Sequence, residues 1–295
     1  MQHANWLKIE KSPIWYGLYR RYRRLPDGVR RPIRVLSAPR WHLAAMLVRH
    51  SAGHRVLAGP FRGMHIELSP LSGRHLLGYL LGSQELELHA AIERVAERRY
   101  RTILNIGAAD GYYAVGLAIR SPQAQVEAFE GLSDFHPVIA RAAQANGVAE
   151  RVTINGFCTV ETLRERLDAV SPRTLIVMDI EGGEVEFLDP QAVPQLAQTD
   201  VLVETHDAFV AGTTETLIGR FSETHDVVCY TARPRRLGDF PPGFLPWLRR
   251  GFPRLAVELM NERRTGLQRW LVLTAKRPEL VQAEAAGQAV MPAWT

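Results

Sequence analysis

The sequence predicts an α/β protein built on an open, doubly wound sheet. From residue 101 onward, segments typical of β-strands alternate with segments whose apolar residues recur at helical spacing. The strand candidates around 175–178 and 201–203 are apolar at every position, which is typical of parallel strands covered by helices on both faces. Right-handed crossovers between such strands place ligands outside their carboxyl ends, so we expect the functional residues at that edge.

The elements of this alternation can be read in order along the chain. Strand candidates are short apolar runs between turn-forming residues, and helix candidates carry an apolar stripe. The predicted strands are 102–106, 125–130, 152–155, 174–179, 200–204, 226–230 and 269–274. The predicted helices between them are 112–120, 134–145, 160–169, 184–188 and 214–221.

Upstream of residue 101 the predicted elements are fewer. A helix is expected to begin with Ser83 as its N-cap, because acidic residues follow in the first turn and an apolar stripe runs through 88–95. A short helix is predicted over 41–49 and a strand or hairpin arm over 64–68.

The positive charge is unevenly distributed. Residues 1–50 hold 11 Lys and Arg against 2 acids, whereas residues 51–295 hold 25 against 29. A uniformly basic nucleic-acid-binding domain is therefore disfavoured. A hydrophobic content of 46% and a charged content of 23% exclude a globally disordered chain.

Several other classes are disfavoured by simple patterns. The longest plain apolar run near the start, 43–48, is too short to span a bilayer, and the first residues lack the apolar core of a secretory signal. The two cysteines, Cys158 and Cys229, form neither a disulfide framework nor a zinc pattern. We therefore expect a cytoplasmic protein.

The predicted organisation is a basic extension over 1–75, an α/β domain over 76–280 and a tail over 281–295. Within the extension, residues 1–40 interleave aromatic residues with arginines and are interrupted by three prolines. Three interpretations stay open: peripheral contact with an anionic membrane, nucleic-acid binding, which is the least expected, and a solvated face that covers the domain or a partner subunit.

An insertion over 231–254 separates the last two strand candidates. It contains five prolines and six arginines against one acid, and it is long for a simple connection. Such loops are commonly lids or binding loops, and its charge would favour an acidic or phosphate-bearing ligand.

A glycine-containing turn follows the first strand. Gly107 and Gly111 allow the backbone to turn tightly and to approach a ligand, and the helix that follows offers its N-terminus to an anionic group. The spacing G-x-x-x-G lacks the middle glycine of the nicotinamide-type fingerprint, because Ala109 occupies that place. Glu130, at the end of the second strand, is placed as an acid that accepts hydrogen bonds from ribose hydroxyls.

Three segments carry a family resemblance: NIGAADGYYAVGLA at 105–118, FEG at 129–131 and MDIEGGEVEFL at 178–188. They resemble class I S-adenosylmethionine-dependent methyltransferases and, within these, the FkbM-type enzymes, and the similarity covers about residues 75–275. The resemblance implies a Rossmann-like sheet of seven strands with an antiparallel last strand, and methyl transfer, usually to a hydroxyl.

The resemblance also implies roles for individual residues. Glu130 matches the ribose-binding acid, Asn105 replaces an acid common in the first strand, and Asp110 stands where the family often has asparagine. Either Tyr112 or Tyr113 would contact the methionine end of the cofactor or pack in the core. The implied cofactor-binding set is Asn105, Gly107, Ala108, Asp110, Gly111, Tyr112, Glu130 and Asp179.

Acidic residues and a histidine follow the fourth and fifth strands. In one hypothesis His206 is a neutral general base oriented by Asp207 or Glu204. In another, Asp179, Glu204 and either His206 or Asp207 hold a divalent ion that lowers the pKa of the acceptor. In the third, His206 and Asp207 only cap the next helix. The predicted catalytic residues are His206, Asp179 and Glu204, and the predicted substrate residues are Glu181, Glu184 and Asp207.

The sequence therefore predicts an S-adenosylmethionine-dependent methyltransferase that modifies a hydroxyl on a sugar, glycolipid or natural product. The alternatives are a nicotinamide-dependent oxidoreductase, against which the missing glycine argues, and a non-catalytic protein that kept the fold. Homo-oligomerisation and the identity of any metal are left open.

Overall fold

The computed structural model of the chain describes residues 25–67, 69, 72–73, 75–170, 173–262 and 268–276. These residues divide into two units. We call residues 25–84 with 234–262 the helical unit, and residues 85–233 with 268–276 the sheet unit. Residues 1–24 of the predicted basic arm and the tail 281–295 lie outside the described residues, so the predicted membrane contact of residues 1–40 stays a prediction.

The sheet unit is built on seven strands in the order β3-β2-β1-β4-β5-β7-β6. Neighbours from β3 to β5 run parallel, and β7 is antiparallel to both β5 and β6. The predicted doubly wound sheet with an antiparallel last strand is confirmed. The strands are β1 (Thr102–Ile106), β2 (Gln125–Phe129), β3 (Val152–Asn155), β4 (Thr174–Met178), β5 (Asp200–Thr205), β6 (His225–Thr231) and β7 (Arg269–Ala275).

The helices alternate with the parallel strands, as the apolar stripes predict. In chain order the α-helices are α1 (Asp27–Ser37), α2 (Pro39–Ala52), α3 (Leu76–Leu81), α4 (His89–Glu97), α5 (Tyr112–Arg120), α6 (His136–Ala145), α7 (Val160–Ala169), α8 (Glu184–Phe187), α9 (Thr213–Phe221), α10 (Pro246–Gly251) and α11 (Pro253–Leu259). Short 3-10 helices cover Leu86–Leu88, Ser133–Phe135, Ala149–Arg151, Pro194–Gln198 and Leu237–Asp239.

Two predicted helix starts are wrong. Ser83 is buried and does not cap α4, because Glu85 has a φ of +47° that no helix accommodates and the α-helix begins only at His89. The helix predicted from residue 134 begins as α6 at His136, after the 3-10 turn at Ser133–Phe135.

The core of the sheet unit lies on the strands that the sequence marks as apolar throughout. Every residue of β1, β4 and β5 is buried, and side chains such as Ile176, Val203 and Leu271 pack with Phe221 of α9. Burial at about 25 cal/mol per Å² of apolar surface is the main force that packs these strands against the helices. Because β1, β4 and β5 are parallel neighbours, the residues that follow them leave the sheet at one edge.

The helical unit has its own apolar core. Ala45 and Val48 of α2 pack with Leu81 of α3 and with Leu248 and Leu259 of the insertion. The insertion between β6 and β7 is therefore not an irregular loop. Its prolines at 246 and 253 occupy the first positions of α10 and α11, where the missing N–H costs no hydrogen bond.

Two further predictions for this unit are wrong. Residues 64–67 form no strand within the described residues, and His65 makes only an isolated bridge with Arg55. Pro32 does not interrupt the basic segment but lies inside α1. Its missing N–H leaves the carbonyl of Gly28 without a helical donor. None of the helices in the described part of the chain is long and apolar enough to cross a membrane.

Gly107 allows the turn after β1 to pass against the end of β4. Its φ is +81°, and a Cβ atom at this position would lie 1.9 Å from the carbonyl oxygen of Asp179. The Asp179 N–H in turn donates to the carbonyl of Ile106 at 3.0 Å. No side chain fits between these two backbone segments, so only glycine is compatible with this junction.

We expect Gly107→Ala to lower the free energy of unfolding by more than about 3 kcal/mol, because it adds a clash with backbone to the strain of a positive φ. Gly212→Ala is the matched control: Gly212 has the same φ of +81°, but a Cβ atom added there would meet no atom within 4 Å. It should lose only about 1 kcal/mol. Chemical denaturation of both variants measures the difference, and equal losses would contradict the steric explanation.

Candidate functional site

Glu130 joins the loop after β1 to the end of β2. One of its carboxylate oxygens accepts a hydrogen bond from the backbone N–H of Ala109 at 2.8 Å, and the other accepts from Leu132 N–H at 2.8 Å. The carbonyl of Glu130 lies 2.7 Å from Nε2 of His136. The carboxylate is thus fixed in position, and about two of its four lone-pair sites remain for a ligand.

The loop between β1 and α5 is shaped by residues with positive φ. Gly107, Ala109 and Gly111 have φ values of +81°, +45° and +84°. Gly111 is the N-cap of α5, and an added Cβ would meet Ile139 of α6 at 3.2 Å. The positive dipole end of α5 therefore lies beside Asp110, which is partly exposed.

Asn105 and Tyr112 are both buried at the start of the candidate site. Asn105 is buried within β1 and its Nδ2 donates to the carbonyl of Val177 at 3.3 Å. Its Oδ1 makes no hydrogen bond to any residue that the structure describes. Tyr112 is buried, and the hydroxyl of Tyr113 bonds the carboxylate of Glu85. Core packing accounts for Tyr112, whereas the Asn105 oxygen is a buried acceptor that still lacks a donor.

The ends of β4 and β5 bring three predicted catalytic residues together. One ligand atom each of Asp179, Glu204 and His206 lies within 4.8 Å of the others. Nε2 of His206 lies 3.5 Å from Oδ1 of Asp179. Adjacent parallel strands end at the same edge of a sheet, which is why residues 25 positions apart along the chain meet here.

Glu184 orients the ring of His206. Its side chain is 0% exposed, and Oε1 lies 2.7 Å from Nδ1 of His206 and accepts from the N–H of Gly182 at 3.0 Å. Burial alone would raise the pKa of Glu184, but the hydrogen bonds from His206 and Gly182 lower it. Burial alone would lower the pKa of His206, but Glu184 and the nearby Asp179 raise it. The pair is therefore a carboxylate hydrogen-bonded to an imidazole N–H.

The loop that carries Glu184 is tied down from α9. The guanidinium of Arg220 donates to the carbonyls of Val185 and Leu188, the latter at 3.1 Å. Glu181, by contrast, is exposed and has a φ of +54°, a strained conformation for a residue other than glycine. Of the three predicted substrate residues, Glu181 is therefore the one that faces solvent beside the cluster.

The side chain of Asp207 caps the start of α9. Its carboxylate accepts from the backbone N–H of Thr214 at 3.1 Å and from the hydroxyl of Thr214 at 2.5 Å, and Arg269 lies 3.5 Å away. Burial alone would raise the pKa of Asp207, but the hydrogen bonds from Thr214 lower it. This is the helix-capping arrangement that the third sequence hypothesis describes for Asp207.

Sequence reasoning missed the contributions of Ala109, Leu132 and His136. Ala109 and Leu132 act through their backbone N–H groups, and His136 contacts a backbone carbonyl, so the first two could not be found from residue type. Cys158 lies in the core, where burial raises the pKa of its thiol to about 11, as expected for a cysteine with a packing role.

Similarity to known proteins is found among solved structures alone, at low sequence identity. No model of a known protein family matches the chain, and no curated protein sequence matches it. Among solved structures, the O-methyltransferase TomG from Streptomyces achromogenes, in complex with S-adenosylmethionine, is 14% identical at a TM-score of 0.43, covering 71% of this chain and 91% of that one. A putative O-methyltransferase from Klebsiella pneumoniae is also 14% identical, with a TM-score of 0.44 and coverages of 70% and 88%.

An O-methyltransferase from Bacillus cereus, solved with S-adenosylhomocysteine, is 12% identical at a TM-score of 0.42, covering 78% of this chain and 89% of that one. The strand order of the present chain, with its antiparallel β7, is itself that of the Rossmann-like methyltransferase fold.

The buried pair of Glu184 and His206 should contribute measurably to stability. We expect Glu184→Ala to cost about 3 kcal/mol, because it leaves the Nδ1–H of His206 without an acceptor in a buried place. Glu186→Ala, an exposed carboxylate in the same short helix, should cost less than about 0.5 kcal/mol. The free energy of unfolding measures both, and a neutral Glu184→Ala would show that the hydrogen bond contributes little to stability.

Proposed function

We propose that this chain is an S-adenosylmethionine-dependent methyltransferase that transfers the methyl group to a hydroxyl. The observation that carries the proposal is the bond between Glu130 and the N–H of Ala109, at 2.8 Å. This bond fixes the Glu130 carboxylate, which can accept hydrogen bonds from ribose hydroxyls, beside a glycine-containing loop and a helix N-terminus. All three lie at the carboxyl ends of β1 and β2. This is the place where sheets of this class bind nucleosides.

The residues at this place fit the cofactor. The two remaining acceptor sites of the Glu130 carboxylate suit the two hydroxyls of a ribose. The buried Oδ1 of Asn105, which lacks a donor among the described residues, suits an ammonium group such as that of methionine. The positive dipole end of α5 suits the carboxylate of the cofactor, and the loop 107–111 lacks the glycine-rich cradle that a pyrophosphate needs.

When bound, the sulfonium supplies a methyl group that is already activated towards a nucleophile. The residues of the chain then have two tasks, which are to align the acceptor and to accept its proton or neutralise its charge. Asp179, Glu204 and His206 offer two carboxylates and an imidazole nitrogen for the second task. A hydroxyl acceptor needs such help because it is a weak nucleophile at neutral pH, which supports transfer to oxygen.

The acceptor is proposed as a hydroxyl on a sugar, glycolipid or other natural product. Glu181, exposed on the loop that follows β4, is the residue placed to contact it, and its carboxylate suits the hydroxyls of a polyol. Methyl transfer from labelled S-adenosylmethionine to a panel of hydroxylated acceptors, followed by location of the label, tests the atom that is modified.

We expect calorimetry to detect binding of S-adenosylmethionine and S-adenosylhomocysteine but not of NAD. Glu130→Ala should weaken this binding at least about tenfold, because it removes the ribose acceptor and releases the N–H groups of Ala109 and Leu132. Asp134→Asn, an exposed carboxylate four residues further on, should bind as the parent chain does. Binding of NAD in place of the sulfonium, or an unaffected Glu130→Ala, would contradict the proposal.

A further inference from the structure

Three side chains with metal-ligating atoms converge at the edge of the sheet where β4 and β5 end. Glu204 is 2% exposed and His206 8%, while the Asp179 side chain is 39% exposed. Two of the groups thus come from the interior, and the third stands at the opening. In such a cluster two ligand side chains are anchored in the interior, and a small ion can enter past the third.

The second nitrogen of the His206 ring adds an oriented nitrogen ligand to the two carboxylates of the cluster. Nδ1 is engaged by the fully buried Glu184, and this bond determines which way the ring points. Nε2 is therefore directed at Asp179, yet it makes no hydrogen bond to any residue in the described part of the chain. Histidines that bind metals commonly have this arrangement, in which the other ring nitrogen donates to a carboxylate that fixes the tautomer.

The distance between Nε2 of His206 and Oδ1 of Asp179 favours an ion between them. At 3.5 Å it is longer than a normal hydrogen bond, whose range ends at about 3.2 Å. Two ligand atoms that each lie about 2.1 Å from one ion are about 3.4 Å apart at the tetrahedral angle. The third ligand atom, from Glu204, lies within 4.8 Å of both, so small side-chain rotations bring all three to one ion.

The charge of the cluster points the same way. The carboxylates of Asp179 and Glu204 lie beside the imidazole, and the carboxylate of Glu184 contacts its other nitrogen. This negative field favours a divalent cation at the cluster. A nitrogen ligand with two oxygen ligands suits a first-row transition metal more closely than calcium, which prefers a larger set of oxygens.

The geometry points to a mononuclear site for a divalent transition-metal ion, such as Mn²⁺ or Zn²⁺, held by Asp179, Glu204 and Nε2 of His206. Glu184 is its positioning residue, acting through the ring of His206 rather than on the ion. The cluster is open to solvent on the side of the partly exposed Asp179. A hydroxyl bound there would be acidified by the ion. This catalytic role rests on the proposed methyl transfer, whereas the binding of the ion does not.

Metal binding is tested on the full-length, untagged chain after treatment with a chelator, without cofactor or acceptor. We expect titration with MnCl₂, followed by electron paramagnetic resonance, and titration with ZnCl₂, followed by calorimetry, to show saturable binding of one ion per chain. Asp179→Asn and His206→Ala should weaken the affinity at least tenfold. Glu184→Gln should weaken it by about 10- to 100-fold although Glu184 does not touch the ion.

Glu186→Gln serves as the control, because Glu186 is an exposed carboxylate in the same helix as Glu184 and should leave the affinity unchanged. Asp179→Asn alters a partly exposed side chain, so it stays informative even where changes at the buried Glu204 or His206 prevent folding. Thermal melting checks each variant. The inference is overturned if neither ion binds saturably below about 1 mM, a concentration at which only weak sites fill, or if folded Asp179→Asn binds as the parent does.

Calorimetry with S-adenosylmethionine on the same metal-free chain separates the two proposals. Cofactor binding without metal binding would leave the methyltransferase proposal standing and remove the metal site. Metal binding without cofactor binding would support the metal site and contradict the methyltransferase proposal.

Discussion

The contact between the turn after β1 and the end of β4 is the constraint on which the candidate site depends. The carbonyl of Asp179 occupies the space that a side chain at Gly107 would fill, and the N–H of Asp179 bonds the carbonyl of Ile106. Because the two strand ends are joined through backbone, the loop after β1, which contacts Glu130, and the loop after β4, which leads to Glu184, diverge from one point. The loop after β1 and the acid–histidine cluster are therefore neighbours for a structural reason that does not depend on any ligand.

Burial decides how the cluster is organised around that point. A fully buried carboxylate is unfavourable unless it is paired, and Glu184 is paired through Oε1, which accepts from the N–H of Gly182 and contacts the ring of His206, while its Oε2 makes no hydrogen bond to a residue that the structure describes. The same bond removes the rotational freedom of the imidazole. Precise placement of His206 is thus a consequence of satisfying a buried charge, and the anchoring of Val185 and Leu188 by Arg220 fixes the loop that delivers it.

The sequence predicts much of this arrangement because its signals are local. Fully apolar segments gave β4 and β5 to within one residue, and the glycines at 107 and 111 mark positions where positive φ is required. The positive φ of Ala109 leaves no such mark, because its contribution is a backbone N–H. The Glu184–His206 pair joins two residues that are 22 positions apart and follow different strands, and residue type alone does not distinguish an orienting carboxylate from a substrate-binding one. The insertion over 231–254 is predicted from its length and composition as a lid or binding loop, whereas two of its prolines begin helices.

Asp179 performs two tasks with separate atoms. Its backbone carbonyl packs against Gly107. Its side chain lies at the open side of the cluster, with Oδ1 3.5 Å from Nε2 of His206. Replacing the carboxylate by an amide leaves the backbone contacts in place and changes only the charge and the ligand atom. A loss of function in such a variant would therefore report on the chemistry of the cluster rather than on the fold. At Gly107 the reverse holds, because any side chain there displaces the backbone on which both parts of the site depend.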